Sequence, residues 1–163
     1  MLVASSILET RLVPWPDEAA CAASAGRVAT HLALRDAFIE LHGPLGAGKT
    51  TFTRHLLHAL GVTGAIKSPT YTLMEPYRSD VAHGAFEIAH FDFYRFDDAQ
   101  EWEDAGFREV FANPGLKLVE WPEKAAELLP PCDLRLAIVP QEEGDARVAR
   151  FEAMSASGRE LLQ

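Results

Sequence analysis

The sequence predicts an α/β fold in which helices flank a sheet of mixed parallel and antiparallel strands, and three observations lead to this prediction. A glycine-rich segment, 43–51, lies between an apolar run typical of a buried strand and an amphipathic run typical of a helix. A second short apolar run, Leu116–Val119, ends at the carboxylate of Glu120. The polar turn Glu142–Asp145 separates two strand-like runs over about 134–154, which predicts a C-terminal antiparallel hairpin.

Four segments in the first half have distinct patterns. Residues 16–34 are rich in alanine with apolar spacing near 3.6, and Asp17 is placed to cap the helix that this spacing predicts. Residues 37–42 are too short for a helix and predict a buried strand, whereas 50–60 place their apolar residues on one helical face. Residues 67–77 contain a central Ser-Pro-Thr and predict a loop or the beginning of a strand.

The second half contains the remaining elements. Residues 86–93 predict an extended segment, and 97–111 predict a helix capped by its first aspartate. Residues 116–121 predict a strand that a following proline ends. The two arms of the hairpin are expected at 134–139 and 147–154.

Length and composition favour one domain, 1–163. The chain has 163 residues, 48% of them hydrophobic and 24% charged, as one compact domain would. No apolar run is long enough for a membrane span, so a soluble, cytoplasmic protein without membrane contact is expected. The net charge of −9 argues against direct binding of nucleic acid. Cys21 and Cys132 lie far apart in sequence and predict two buried thiols rather than a disulfide framework or a zinc site.

The segment from Gly43 to Thr50 matches the phosphate-loop pattern G-x-x-x-x-G-K-[ST], so the sheet is predicted to be P-loop NTPase-like. Its glycines let backbone N–H groups converge on phosphate oxygens at a helix N-terminus. Lys49 is expected to carry positive charge to the β and γ phosphates, and the Thr50 hydroxyl is expected to bind Mg²⁺. The predicted nucleotide contacts, with ATP as the nucleotide, are Leu45, Gly46, Ala47, Gly48, Lys49, Thr50 and Thr51.

Two acids that follow apolar strands are candidates for the magnesium site. Asp92 and Glu120 both come at the carboxyl ends of predicted strands, where an open α/β sheet collects its ligands. Glu120 follows the cleaner apolar run and is the stronger metal candidate, while Trp121 is interpreted as a core residue. The sequence does not single out an arginine for the transition state, and four could approach the site: Arg54, Arg95, Arg147 and Arg150. Turnover without a partner is therefore expected to be weak.

Four segments together resemble the TsaE family, also called YjeE, and they are GPLGAGKTTFTR, KSPTYTLMEPY, HFDFYRF and LVEWPEKA. The resemblance covers nearly the whole chain. It implies the ATPase component of bacterial threonylcarbamoyladenosine (t6A) synthesis in tRNA, working with the TsaD and TsaB proteins. ATP hydrolysis would reset the complex of these partners between cycles, and tRNA would be held mainly by the partners.

The resemblance also implies roles for individual positions. The family's magnesium threonine falls on Thr50, and its paired acids fall on Asp92 and Glu120. Its Ser-Pro-Thr loop falls on 68–70, where a hydroxyl, assigned to Thr70 as a catalytic candidate, would sense the γ phosphate or a partner.

Three positions depart from the family's usual residues. Pro44 stands where an aspartate is usual, His55 where a glycine is usual, and Cys21 where threonine is frequent. Because Pro44 removes an N–H at the start of the loop and His55 adds bulk to its helix, nucleotide affinity is expected to differ while the reaction class does not. Cys21 weakens the expectation of a nucleotide contact from the first helix.

Two other function classes fit parts of the sequence. A small-molecule kinase would share the phosphate loop and the strand-end acids, but the chain shows no arginine-rich lid segment. A non-catalytic module that uses nucleotide only to dock partners is the third interpretation, and the complete set of Lys49, Thr50, Asp92 and Glu120 argues against it. A signalling GTPase is disfavoured because the guanine-binding Asn-Lys-x-Asp motif is missing from the sequence.

Overall fold

The computed structural model describes residues 6–69, 71–80 and 83–163. The strands of these parts are β1 (Glu9–Trp15), β2 (Phe38–His42), β3 (Met74–Ser79), β4 (Phe86–Asp92), β5 (Leu116–Glu120), β6 (Leu134–Pro140) and β7 (Arg147–Ala153). The α-helices are α1 (Glu18–Ala29), α2 (Lys49–Ala59), α3 (Ala99–Ala105), α4 (Phe107–Ala112) and α5 (Ala156–Leu161). Two short 3-10 helices cover Leu32–Asp36 and Pro122–Ala125.

All seven strands belong to one sheet, in the order β1-β7-β6-β2-β5-β4-β3. The four central strands, β6, β2, β5 and β4, run parallel to one another. β7 and β1 extend one side in antiparallel orientation, and β3 pairs antiparallel with β4 at the other edge. The predicted P-loop NTPase-like sheet of mixed strands, with a C-terminal hairpin made by β6 and β7, is confirmed.

The sheet is covered on both faces because successive side chains of its central strands alternate between two hydrophobic clusters. Ile39 and Leu41 of β2 join the cluster that contains α1, α2 and α5 residues, whereas Phe38 joins the other. This second cluster is largely aromatic, and Phe91 packs edge to face on Phe107 with ring centroids 5.1 Å apart. None of the helices in the described parts is long and apolar enough to cross a membrane.

Two helices differ from their predicted bounds. The first helix ends at Ala29 and not at residue 34, because Thr30 caps it and donates its hydroxyl to the Arg27 carbonyl at 2.7 Å. The helix expected over 97–111 is two helices, α3 and α4, that meet at Gly106. That glycine has a left-handed φ of 71°, which L side chains rarely adopt and which ends α3.

Three elements have weak or no sequence signals. β1 is mostly exposed and contains Pro14, so its residues show no apolar alternation, and it becomes a strand by pairing with β7. β3 also contains a proline and lies at the opposite edge of the sheet; it begins inside the segment 67–77, predicted as a loop or the beginning of a strand, and ends two residues after it. α5 is only six residues long and begins at the capping hydroxyl of Ser155.

Candidate functional site

The phosphate loop connects the carboxyl end of β2 to the first residue of α2, as its motif requires. Gly43 has a φ of 147°, and a Cβ atom there would lie 2.8 Å from the Ile138 carbonyl oxygen of β6. Gly48, which precedes α2, has a φ of 115°. Only glycine combines these backbone angles with this close approach, so the loop fits tightly against the neighbouring strand.

Lys49 is buried at the centre of the site, with 5% of its surface exposed. Its ammonium donates to the carbonyl oxygen of Gly43 and, at 3.3 Å, to that of Pro44. The ammonium nitrogen also lies 3.7 Å from the centroid of the Trp121 ring. Burial lowers the pKa of Lys49 below its usual value, while the nearby carboxylate of Glu120 opposes this shift.

Glu120 forms hydrogen bonds with both Thr50 and a buried histidine. The Thr50 hydroxyl lies 2.9 Å from Oε1 and 3.1 Å from Oε2 of Glu120. His90 Nε2 lies 2.6 Å from Oε2 of the same carboxylate. Thr50 and Glu120, which the sequence assigns to magnesium, are therefore in direct contact, and His90 is a site residue that the sequence interpretation missed. Its position two residues before Asp92, on the same face of a strand, is the signal that could have found it.

Asp92 lies beside Glu120 because the two residues are partners in the register of β4 and β5. One Asp92 oxygen accepts a hydrogen bond from the Ser68 hydroxyl, and the other accepts from the Tyr94 backbone N–H at 2.9 Å. The acid thus holds Ser68 of the Ser-Pro-Thr segment at the cavity that the phosphate loop also lines. Thr70, the catalytic candidate in that segment, lies outside the described residues.

The predicted site residues that the structure describes converge on one cavity of about 260 Å³. Its lining consists of Leu45, Gly46, Ala47, Gly48, Lys49, Thr50, Thr51, Ser68, Asp92, Glu120 and Trp121. The threonine hydroxyl and the two carboxylates are hard oxygen donors, which suit Mg²⁺. Within the described ranges, no group of three or more His, Cys, Asp or Glu side chains could hold a metal by itself. The donor set therefore fits a magnesium ion that takes its remaining ligands from phosphate and water, as Mg²⁺ commonly does.

Trp121 is not a simple core residue, which differs from its sequence interpretation. It is partly exposed, has a left-handed φ of 57°, and packs against Tyr94 with ring centroids 4.9 Å apart. One part of the ring contacts the aromatic cluster and another covers the Lys49 ammonium. The side chain therefore joins the core to the charged centre of the site.

Arg147 is distinguished from the other candidate arginines by its contacts with the phosphate loop. Its guanidinium donates to the Ala47 carbonyl at 2.9 Å and to the Gly46 carbonyl at 3.3 Å. Arg54 instead lies 3.7 Å from Glu18, and Arg150 extends to a carboxylate of its own strand at 3.9 Å. Arg147 thus fixes the backbone of the loop, a role that depends on the hairpin and that sequence spacing did not indicate.

A second and larger pocket, of about 490 Å³, lies on the other side of the phosphate loop. It is bounded by the end of β1, the start of α1, the loop and the hairpin. Its lining residues are Trp15, Pro16, Asp17, Glu18, Cys21, Gly46, Ala47, Gly48, Thr51, Asp145 and Arg147. Cys21, one of the departures from the family pattern, therefore lies beside the phosphate loop.

Comparison with known proteins identifies the family. The model of the family "Threonylcarbamoyl adenosine biosynthesis protein TsaE" matches residues 15–149. The chain belongs to the TsaE family. A relative from Haemophilus influenzae, named tRNA threonylcarbamoyladenosine biosynthesis protein TsaE, is 40% identical over 124 residues, 76% of this chain and 75% of that protein. A Bacillus subtilis protein of the same name is 42% identical over 107 residues, 66% of this chain and 63% of its own length.

The similarity extends to a solved structure. The crystal structure of Bacillus subtilis YdiB superposes with a TM-score of 0.72 at 29% sequence identity, covering 97% of this chain and 95% of that one. The family resemblance inferred from the four sequence segments is confirmed. The site described above is therefore that of a TsaE-family protein, and the family is named for threonylcarbamoyladenosine biosynthesis.

Proposed function

We propose that this TsaE protein is the magnesium-dependent ATPase component of the t6A machinery and that its ATP hydrolysis supports cycling of a TsaD–TsaB complex. The contact of Thr50 with Glu120, beside the buried ammonium of Lys49, is the observation that carries the proposal. A hydroxyl at the start of the loop helix and a strand-end acid are the two protein groups that phosphate-loop enzymes use to place magnesium.

Each residue of the cavity has a role that follows from its chemistry. Lys49 neutralises charge on the β and γ phosphates, and Thr50 and Glu120 hold the ion. Magnesium, when bound, lowers the charge repulsion between the phosphate oxygens and an attacking water. Asp92, which Ser68 and the Tyr94 N–H hold in place, orients that water. Thr70 is proposed to contact the γ phosphate from the same segment.

The larger pocket supports ATP as the nucleotide. It shares Gly46, Ala47 and Gly48 with the magnesium cavity, so one molecule can extend from the phosphates into it. Its volume of about 490 Å³ is within the range of small-ligand sites. We assign the base and the ribose to this pocket, where Trp15 and Cys21 supply apolar surface and Asp17 supplies a hydrogen-bond acceptor.

The charge distribution supports contact with tRNA through partners. The chain carries a formal net charge of −9, and α3 with its preceding turn exposes several carboxylates. A surface of this sign repels phosphate backbones and attracts basic protein surfaces. We therefore place the tRNA on the TsaD–TsaB complex and not on this subunit.

The test is magnesium-dependent phosphate release from ATP and from GTP, by the chain alone and with purified TsaD and TsaB. The proposal expects slow release from ATP by the chain alone, a rise when both partners are present, and little release from GTP. Lys49→Ala, assayed with the same partners, controls for a contaminating ATPase. Tight ATP binding without release under every condition would favour the non-catalytic binding module, and transfer of the phosphate to a small acceptor would favour the kinase.

A further inference from the structure

His90 is a buried polar residue for which the proposed chemistry has so far no use. Its surface is 0% exposed, and the only hydrogen bond of its ring within the described ranges joins Nε2 to Oε2 of Glu120 at 2.6 Å. The other ring nitrogen, Nδ1, is buried and has no partner among the described residues. Burying a polar ring with one nitrogen unpaired costs stability, so the single bond to Glu120 calls for a reason other than packing.

The bond determines which ring nitrogen carries the proton. A carboxylate can only accept hydrogen bonds, so Nε2 is the donor. The Nε2–H tautomer leaves only a lone pair unpaired at Nδ1. The alternative tautomer would leave a buried N–H without a partner and would place the Nε2 lone pair 2.6 Å from a carboxylate oxygen.

Glu120 therefore has its two oxygens committed to different partners. Oε2 accepts from His90, while the shorter of the two Thr50 contacts, 2.9 Å, is to Oε1. Because β4 and β5 are adjacent in the sheet, His90 approaches the acid from the neighbouring strand, whereas Thr50 approaches it from the loop helix. Hydrogen bonds to these two partners restrict rotation of the carboxylate about its terminal bond.

We propose that His90 is a positioning residue for Glu120 and that it holds Oε1 toward Thr50 and the magnesium position. Outer-shell donors of this kind orient metal-binding carboxylates, and their loss typically lowers metal affinity or activity about 10- to 100-fold. The kinetic consequence rests on the proposed ATPase function, whereas the hydrogen bond itself does not.

Two amide variants test the position of the donor. His90→Gln places an amide nitrogen near the position of Nε2, whereas His90→Asn places it near Nδ1, and both keep a polar side chain in the same strand. We expect His90→Asn to raise the Mg²⁺ concentration for half-maximal ATP hydrolysis about tenfold. His90→Gln should stay within about threefold of the unaltered protein, and both variants should bind ADP without magnesium almost normally. Equal Mg²⁺ requirements in the two variants would overturn the proposal.

Ile88→Val is the matched structural control, since Ile88 lies two residues earlier on the same face of β4 and is buried away from the site. It removes one methylene group and should leave the Mg²⁺ requirement unchanged. A rise in this control as large as that in His90→Asn would show that general loosening of β4, and not the donor, sets the Mg²⁺ requirement, which would also overturn the proposal.

The hydrogen bond can be measured without ATP hydrolysis and without variants at position 90. In the nucleotide-free protein, nitrogen-resolved NMR of the histidine rings should show one slowly exchanging Nε2–H proton, shifted downfield by the carboxylate. The signal should disappear or move upfield in Glu120→Ala. Its absence from the unaltered protein would overturn the inference, whereas its presence in a protein that hydrolyses no ATP would refute only the proposed function.

Discussion

At the scale of single residues, the proposed function gives Lys49 and Glu120 different roles, although both are buried in one cavity. Lys49 offers positive charge, and its replacement removes a charged hydrogen bond worth about 1.5–3 kcal/mol. Lys49→Ala should therefore weaken ADP binding about 10- to 100-fold, measured by calorimetry without magnesium. Lys124→Ala, at an exposed lysine of the 3-10 helix after β5, is the control and should bind normally. Normal ADP binding by Lys49→Ala would contradict its assignment.

Glu120→Gln should lower the rate of ATP hydrolysis while leaving ADP binding nearly unchanged. The substitution keeps the size of the side chain but removes the charge that magnesium needs. We expect ADP affinity without magnesium to change by no more than about twofold while the rate of ATP hydrolysis falls at least tenfold. Glu123→Gln, at an exposed acid of the same segment, should keep its rate. Parallel loss of binding and hydrolysis in Glu120→Gln would show that the acid holds the fold of the site and not the ion.

The two thiols provide a residue-scale prediction about pH. Burial raises the pKa of Cys21 to about 12, and Cys132 has a pKa of about 12 for the same reason. At pH 8 only about one thiol in ten thousand is then ionised, so iodoacetamide should modify neither cysteine in the native protein. Both should react in guanidinium chloride. Rapid modification of native Cys21 would mean that the pocket beside α1 opens.

The raised pKa values of the two thiols also determine how the stability of the fold changes with pH. Because both pKa values are raised in the folded state, the contribution of the thiols to stability is fully present at pH values below the ordinary cysteine pKa. This contribution is lost as the pH rises toward 12, since unfolded thiols ionise first. The midpoint of thermal unfolding should therefore fall in alkaline solution, and it should fall less when both cysteines are replaced by serine.

At the scale of elements, the strand, loop and helix around the phosphate motif could be predicted because their signals are local. An apolar run, a glycine pattern and a helical face are each visible within a dozen residues. β1 could not be predicted, since its strand conformation comes from pairing with β7, more than a hundred residues later in the chain. The break at Gly106 was visible as an isolated glycine, but a glycine inside a helical pattern does not by itself end a helix.

The residues of the candidate site divide in the same way, into those with a local sequence signal and those placed by long-range pairing. Lys49 and Thr50 were predicted from the loop motif, and Asp92 and Glu120 from their places at strand ends; the structure brings all four to one cavity. His90 and Arg147 contact other site residues because of the register of β4 with β5 and the fold of the hairpin. Such roles are set by non-local pairing, which a single sequence does not show.

The C-terminal helix provides an element-scale prediction. A Cβ atom at Gly158 would lie 1.9 Å from the backbone oxygen of Asp133. Gly158→Ala should therefore lower the free energy of unfolding by about 1–3 kcal/mol, measured in urea. Helix propensity alone would make the same change stabilising by up to about 1 kcal/mol, so the sign of the effect decides between the two. Ser157→Ala, at an exposed position of α5, is the control and should change stability little.

At the scale of the whole molecule, the balance of charge leads to a prediction about tRNA. With 15 lysines and arginines against 24 acids, the chain has too little positive charge to neutralise several phosphates. We expect no binding of unmodified tRNA to the isolated protein at physiological salt, measured by fluorescence anisotropy. Lowering the salt should not produce tight binding, and the TsaD–TsaB complex is the positive control. Salt-sensitive binding by the isolated chain would contradict an indirect role.

The hydrogen bonds from Arg147 to the phosphate loop have a consequence for the synthesis of this chain on the ribosome. The arginine and the carbonyl of Ala47 are 100 residues apart in the chain, and the strand that carries the arginine pairs with both β6 and β1. A ribosome therefore releases the motif long before it releases the residue that shapes it. On the proposed function, a nascent chain stalled before the hairpin emerges should be unable to retain ATP, and we expect the growing polypeptide to bind nucleotide only once its last strand is in place.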